Sequence, residues 1–321
     1  MLRTLLITLA LATPAAADVA ETVRDHILPG YAAFDAAAAA LATATATCDA
    51  EVIKPAFHAA YDAWMGVAHL RFGPVETNGR ALAIAFWPDP KSLGAKAQRA
   101  LMLGDPALLE PARFAEQSVA ARGLAGLERL LYPSQALPAE PCPLIRATAA
   151  DLASMASAIS TDWQTSYADT LLTAGNPTNT TYLTPVEARQ ALFTQLASGL
   201  EFTADSRIGR PMGTFDTPRP ERAEARASAR SLINIRLSLK SLRQMVATLD
   251  PNATKTQAGF DHAIDVANAL DDPTLAGVSD PAIRLKIEIL QQSISTLRST
   301  ILTELAPAMG VGIGFNAQDG D

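Results

Sequence analysis

The sequence predicts an all-α protein, its helices divided into two bundles packed together. Three observations carry this. β-Branched residues nowhere alternate with polar ones, and no Asn-Gly or Asp-Gly hairpin joins runs of that kind. Ala, Leu, Arg and Glu dominate, which favours helix. Helix start and stop signals recur along the chain.

The elements follow in order. Asp18-Val19-Ala20-Glu21 opens a helix over 19–42, and a second covers 50–71. Shorter ones are read at 91–102 and 113–131. A long apolar-periodic helix over 143–173 carries Leu144, Leu152, Met155 and Ile159 and stops at Gly175-Asn176-Pro177. The Pro/Thr/Asn-rich stretch 176–182 divides an N-terminal bundle, 18–176, from a C-terminal one, 177–321. Thr184-Pro185-Val186-Glu187 then supplies a cap, a first-turn Pro and a Glu three residues on, opening a helix over 185–206. Thr217-Pro218-Arg219-Pro220-Glu221 opens one over 219–249. Helices over 254–270 and 280–306 complete the set, the last started by Asp280-Pro281. Arg71-Phe72-Gly73-Pro74 in one half and Arg207-Ile208-Gly209-Arg210-Pro211 in the other both read Arg-x-Gly with Pro following, the sequence hint of duplication.

Composition excludes several classes. Of 321 residues 49% are hydrophobic and 18% charged, which is not the balance of a disordered chain. Lys plus Arg number 26 against 33 Asp plus Glu, a net charge of −7, so no basic stripe exists for nucleic acid. Met1-Leu2-Arg3, the apolar run to Thr13, Pro14 and Ala15-Ala16-Ala17 read as a cleaved secretory signal over 1–17. No later run has the roughly 20 apolar residues of a membrane-spanning helix. The expected location is the periplasm or cell envelope. There, two cysteines are a pairing number, and Cys48 and Cys142 are expected to form a disulfide, the alternative being two unrelated buried thiols.

Two irregular segments combine Gly and Pro with charge and an aromatic, as binding loops do. One is Arg71-Phe72-Gly73-Pro74-Val75-Glu76 with Phe86-Trp87-Pro88-Asp89. The other is Gly209-Arg210-Pro211-Met212-Gly213-Thr214-Phe215-Asp216. Upstream of the first, His58, Asp62, Met65 and His69 share a helical face, and His with a carboxylate at that spacing can ligate a metal. Glu76 lies where it can fold back toward His69. In helix 113–131, Gly123 and Gly126 allow close approach, and Glu128 sits among Leu124, Leu127, Leu131 and Tyr132. A carboxylate there needs a partner: an arginine, a metal or a substrate. The chain has no His-Glu-x-x-His, Gly-x-Ser-x-Gly, phosphate-cradling Gly-rich loop or Cys-x-x-Cys.

Together these segments resemble the imelysin family of exported all-α proteins, also classed as metallopeptidases. The matching features are Trp64 to Arg71 with Phe72-Gly73-Pro74-Val75-Glu76, then Phe86-Trp87-Pro88-Asp89. Gly123 with Glu128, Leu130, Leu131 and Tyr132 stands at the family's Gly-x-His-x-x-Glu motif. The tail Gly314-Phe315-Asn316-Ala317-Gln318-Asp319-Gly320-Asp321 completes the set. The resemblance implies two helical bundles, related as a divergent internal duplication, with a site between them, and a link to iron acquisition in the envelope. Ala125 stands where the motif has His.

The leading expectation is therefore a non-catalytic periplasmic component of iron or metal-complex uptake, binding a metal ion or a chelated or organic ligand and serving an envelope or outer-membrane uptake partner. Arg71, Trp87 and Arg210 are the expected ligand contacts. A metallopeptidase holding a divalent or iron ion with His69, Glu76 and Glu128 is the alternative, and a helical envelope scaffold the third.

Overall fold

A computed structural model describes residues 19–312; the signal-peptide segment and the Gly314–Asp321 tail lie outside the described residues. Every regular element among the described residues is helical. Helix α1 is continuous over Val19–Thr47. Cys48 ends it in a left-handed conformation, and the Asp49 carboxylate accepts from the Glu51 amide to start α2, Ala50–Met65. Then come α3, Arg80–Ile84, α4, Leu93–Leu103, and α5, Gly123–Leu131. α6 spans 142–172 and α7 spans 185–212. Thr184 caps α7 by accepting from the Glu187 amide, as its sequence predicts. α8, Ser231–Leu249, α9, Thr254–Asn268, α10, Pro281–Thr303, and α11, Leu305–Met309, close the chain.

α1 packs between α2 and α6, and α5 also lies on α6. α7, α8, α9 and α10 form a second group, and α2 and the start of α1 pack against α8. One apolar core runs through both groups, from Val23 in α1 to Val311 after α11. The division at 176/177 and an internal duplication remain proposals. Cys48 and Cys142 are joined, with Cα atoms 5.6 Å apart across 94 positions of sequence, tying the end of α1 to the start of α6.

Four expectations are corrected. α2 stops at Met65, and 66–71 is a turn. The predicted helix 113–131 is broken: short helical turns at Pro111–Phe114 and Val119–Ala121 precede α5, because Gly123 takes φ +62°. The predicted helix 219–249 begins only at Ser231. Its first twelve residues form a strap with left-handed Ala225 and Ala229, helical by propensity but drawn off by tertiary contacts. Finally, α1 is apolar enough by length and composition to span a membrane, with mean hydropathy 1.3. Alanines supply much of that value, while Val23, Ile27, Tyr31, Phe34, Ala38 and Leu41 face the core.

Candidate functional site

The helical face His58–Asp62–Met65–His69 exists, and it points at the second helical group. Arg230, at the start of α8, donates to His58 Nδ1 at 2.9 Å and to the Asp62 carboxylate, and lies 4.7 Å from the Tyr61 ring centroid. His58 Nε2 lies 2.8 Å from the Tyr132 hydroxyl. Arg207 approaches the Met65 sulfur at 3.8 Å. His69 meets His26 of α1, with the Nε2 atoms 3.1 Å apart. Burial holds His26 neutral, its pKa lowered to about 4. Burial, then the neighbouring His26, Arg207 and Arg71, push His69 well below the ordinary histidine range. The face is thus a seam of protein partners.

Three of the long helices contain a π-helical segment: Val23–Ile27, Trp163–Tyr167 and Phe202–Ile208. Such wider turns re-aim side chains and recur at functional sites. Here two of them deliver His26 and Arg207 to the seam. Arg207 forms a buried ion pair with Glu224 of the strap, Nε to Oε2 at 2.8 Å, with both side chains 6% exposed. Its Nη1 reaches the hydroxyls of both Thr203 and Ser238 at 3.4 Å. Asn234 of α8 donates to the same Glu224 oxygen at 3.2 Å.

Beside the seam opens a cleft of about 440 Å³, lined by His69, Arg71, Glu76, Trp87, Phe202 and Arg207 among smaller residues. Four of the six residues singled out in the sequence meet here: His69, Arg71, Glu76 and Trp87. The Arg71 amide donates to Gln195 Oε1 at 2.8 Å and its Nε to the Ala68 carbonyl at 3.0 Å, which fixes the loop. The guanidinium lies 5.6 Å from the Trp64 ring centroid. Trp87 meets Phe202 edge to face at 5.9 Å. Asp89, two residues on, caps α4 by accepting from the amides of Leu93 and Gly94, each at 2.8 Å, which anchors the Trp87 segment.

Two expectations fail here. Arg210 does not line the cleft; Arg207 does, because the π segment turns that residue inward and Arg210 follows a turn later. Glu128 does not join His69 and Glu76. It lines a different cavity, of about 280 Å³, with Gln98, Arg129 and Tyr132. Its Oε1 accepts from the Ser228 amide at 2.9 Å and hydroxyl at 2.7 Å. Burial raises its pKa despite those bonds. Its partner is thus a serine of the strap, whose composition favours helix. Glu224, Ser228 and Arg230 were missed for that reason. Arg207 was legible in the Arg-x-Gly repeat, and His26 carried no signal beyond being a polar residue in an apolar helix.

The family model for imelysin, peptidase M75, matches residues 27–301. The chain belongs to the imelysin family. Iron-regulated protein A of Synechococcus elongatus is 23% identical over 311 residues, covering 88% of this chain and 83% of that protein. An imelysin-like protein from Psychrobacter arcticum has the same fold, with TM-score 0.78, 19% identity, and coverage of 94% of this chain and 100% of that one. So does a structure named for an iron-regulated protein A precursor from Parabacteroides distasonis, with TM-score 0.66, 15% identity, and coverage of 89% and 93%.

The imelysin motif segment occupies the start of α5. A Cβ on Gly123 would fall 2.1 Å from the Ala83 carbonyl oxygen, and one on Gly126 2.4 Å from that of Ala121, so α5 is held against its neighbours by both glycines. Ala125 leaves Glu128 without an imidazole one turn away. A hydrolytic metal usually has about three protein ligands. Among the described residues no three His, Cys, Asp or Glu side chains are grouped to hold one ion. The set His69, Glu76 and Glu128 does not fit a metallopeptidase centre.

The two Arg-x-Gly motifs do meet: Arg71 and Arg207 face the same cleft from opposite halves of the chain. Their glycines differ, Gly73 being left-handed at φ +65° and Gly209 helical.

Proposed function

We propose that this imelysin-family chain is an exported, non-catalytic binding protein that takes a carboxylate-bearing iron or metal complex and serves an envelope uptake partner from the periplasm. The observation that carries this is the cleft where Arg71, Arg207, His69 and Trp87 converge. Clefts of a few hundred Å³ with apolar walls and a few directed polar groups suit small ligands, and arginine suits carboxylates. The names of the relatives from S. elongatus and P. distasonis support a link to iron. The disulfide and the leader-like first residues support export. Separation of Glu128 from the cleft argues against the peptidase reading.

Calorimetric titration of the mature chain, residues 18–321, with ferric citrate, citrate and ferric or zinc ion tests this. The expected result is saturable ferric citrate binding that Arg71→Gln weakens at least tenfold, with no peptide hydrolysis. Stoichiometric zinc or iron lost in Glu128→Ala, together with hydrolysis of an unfolded protein substrate, would overturn it. Silence toward every ligand would leave a scaffold.

A further inference from the structure

The charges that face the cleft are not matched alike. Arg207 is matched by Glu224 behind the wall. Arg71 and Glu76 both face the cavity and attract one another through space, but among the described residues neither forms a direct ion pair. No protein acceptor lies within hydrogen-bond distance of the terminal Arg71 nitrogens, whose only side-chain bond runs from Nε. The cleft therefore presents one open cation and one open anion, on a loop held rigid by Gln195 and the Ala68 carbonyl. A ligand that carries both an anionic and a cationic group satisfies both. Trp87 and Phe202 add an aromatic wall.

We infer that the cleft takes a zwitterion: a carboxylate on Arg71, a protonated amine on Glu76, and an apolar group against Trp87 and Phe202. This narrows the ligand to an amino acid or aminocarboxylate and rests on reading the cleft as a ligand site. The amine end discriminates, since acylating it removes the positive charge and leaves Glu76 a single neutral amide N–H.

The test is calorimetry on the mature chain with three probes: L-phenylalanine, its N-acetyl derivative and its amide. Phenylalanine is expected to bind, and each capped analogue at least tenfold more weakly. Glu76→Gln should erase the penalty for the N-acetyl derivative and keep that for the amide; Arg71→Gln should do the reverse. Both residues belong to an exposed loop, so an unchanged melting point verifies folding. N-acetylphenylalanine binding as tightly as phenylalanine would overturn the inference. So would ferric citrate binding with all three probes silent, a result that leaves the carboxylate-complex reading standing. Phenylalanine binding with ferric citrate silent supports the zwitterion and removes the iron complex. Silence toward all four defeats both.

Discussion

Glu224→Leu is the sharpest perturbation of the seam between the two helical groups. It removes the partner of Arg207 where both side chains are 6% exposed. The stranded guanidinium keeps weaker contacts: hydroxyls of Thr203 and Ser238 at 3.4 Å, the Met65 sulfur at 3.8 Å and the Phe202 ring, 4.8 Å to its centroid. Breaking a buried pair from one side costs about 3–5 kcal/mol, because an uncompensated charge stays inside. A chain of this size has an unfolding entropy of about 0.6 kcal/mol/K. The melting point should therefore fall by about 5–8 °C in scanning calorimetry. Arg207→Met with Glu224→Leu should recover most of that, since an apolar pair of similar volume is often neutral. A fall of under about 1 °C, or a double variant no better than the single, would refute the claim that this pair is desolvated and mutually dependent.

Other consequences are equally open to measurement. Gly123→Ala should destabilise far more than Gly79→Ala: both are left-handed, at φ +62° and +67°, but only Gly123 has carbonyls where the methyl would go. Chemical denaturation should give about 1–2 kcal/mol for Gly79→Ala and clearly more for Gly123→Ala. Replacing Cys48 and Cys142 together by serine should cost up to about 4–5 kcal/mol on the chain-entropy account of so long a loop. The folded-state pKa of Glu128 lies above its unfolded value, so the stability tied to its neutral form is present at low pH and lost as pH rises. Glu128→Gln should therefore raise the melting point at pH 7, with the gain vanishing below the ordinary carboxylate range near 4. A gain independent of pH would contradict that assignment.

Much of the scaffold was readable from local signals. The Thr184 cap, the Asp280 start and the Gly175 stop mark helix ends because capping acts within a few residues. The cysteine pair was legible from count and setting. Of the site, Arg71, Glu76 and Trp87 stand out as costly residues in irregular loops and His69 as a candidate metal ligand on a helical face, and the four converge. Arg210 was chosen over Arg207 because a π turn shifts the face of a helix and leaves no mark in hydrophobic periodicity. Glu128 was grouped with His69 because its true partner, Ser228, lies on a segment whose composition reads as helix.

The sequence by itself determined the helical class, the export-compatible disulfide, the family and the loop that carries Arg71 and Glu76, since each follows from composition, short spacing or motif. Only the tertiary structure decided which charges are spent within the protein and which face the cleft. Arg207 with Glu224, Arg230 with Asp62, and Glu128 with Ser228 join residues 17, 168 and 100 positions apart. Pairings at such separations depend on how helices pack, and a buried charge is neutralised by whichever group the packing brings near.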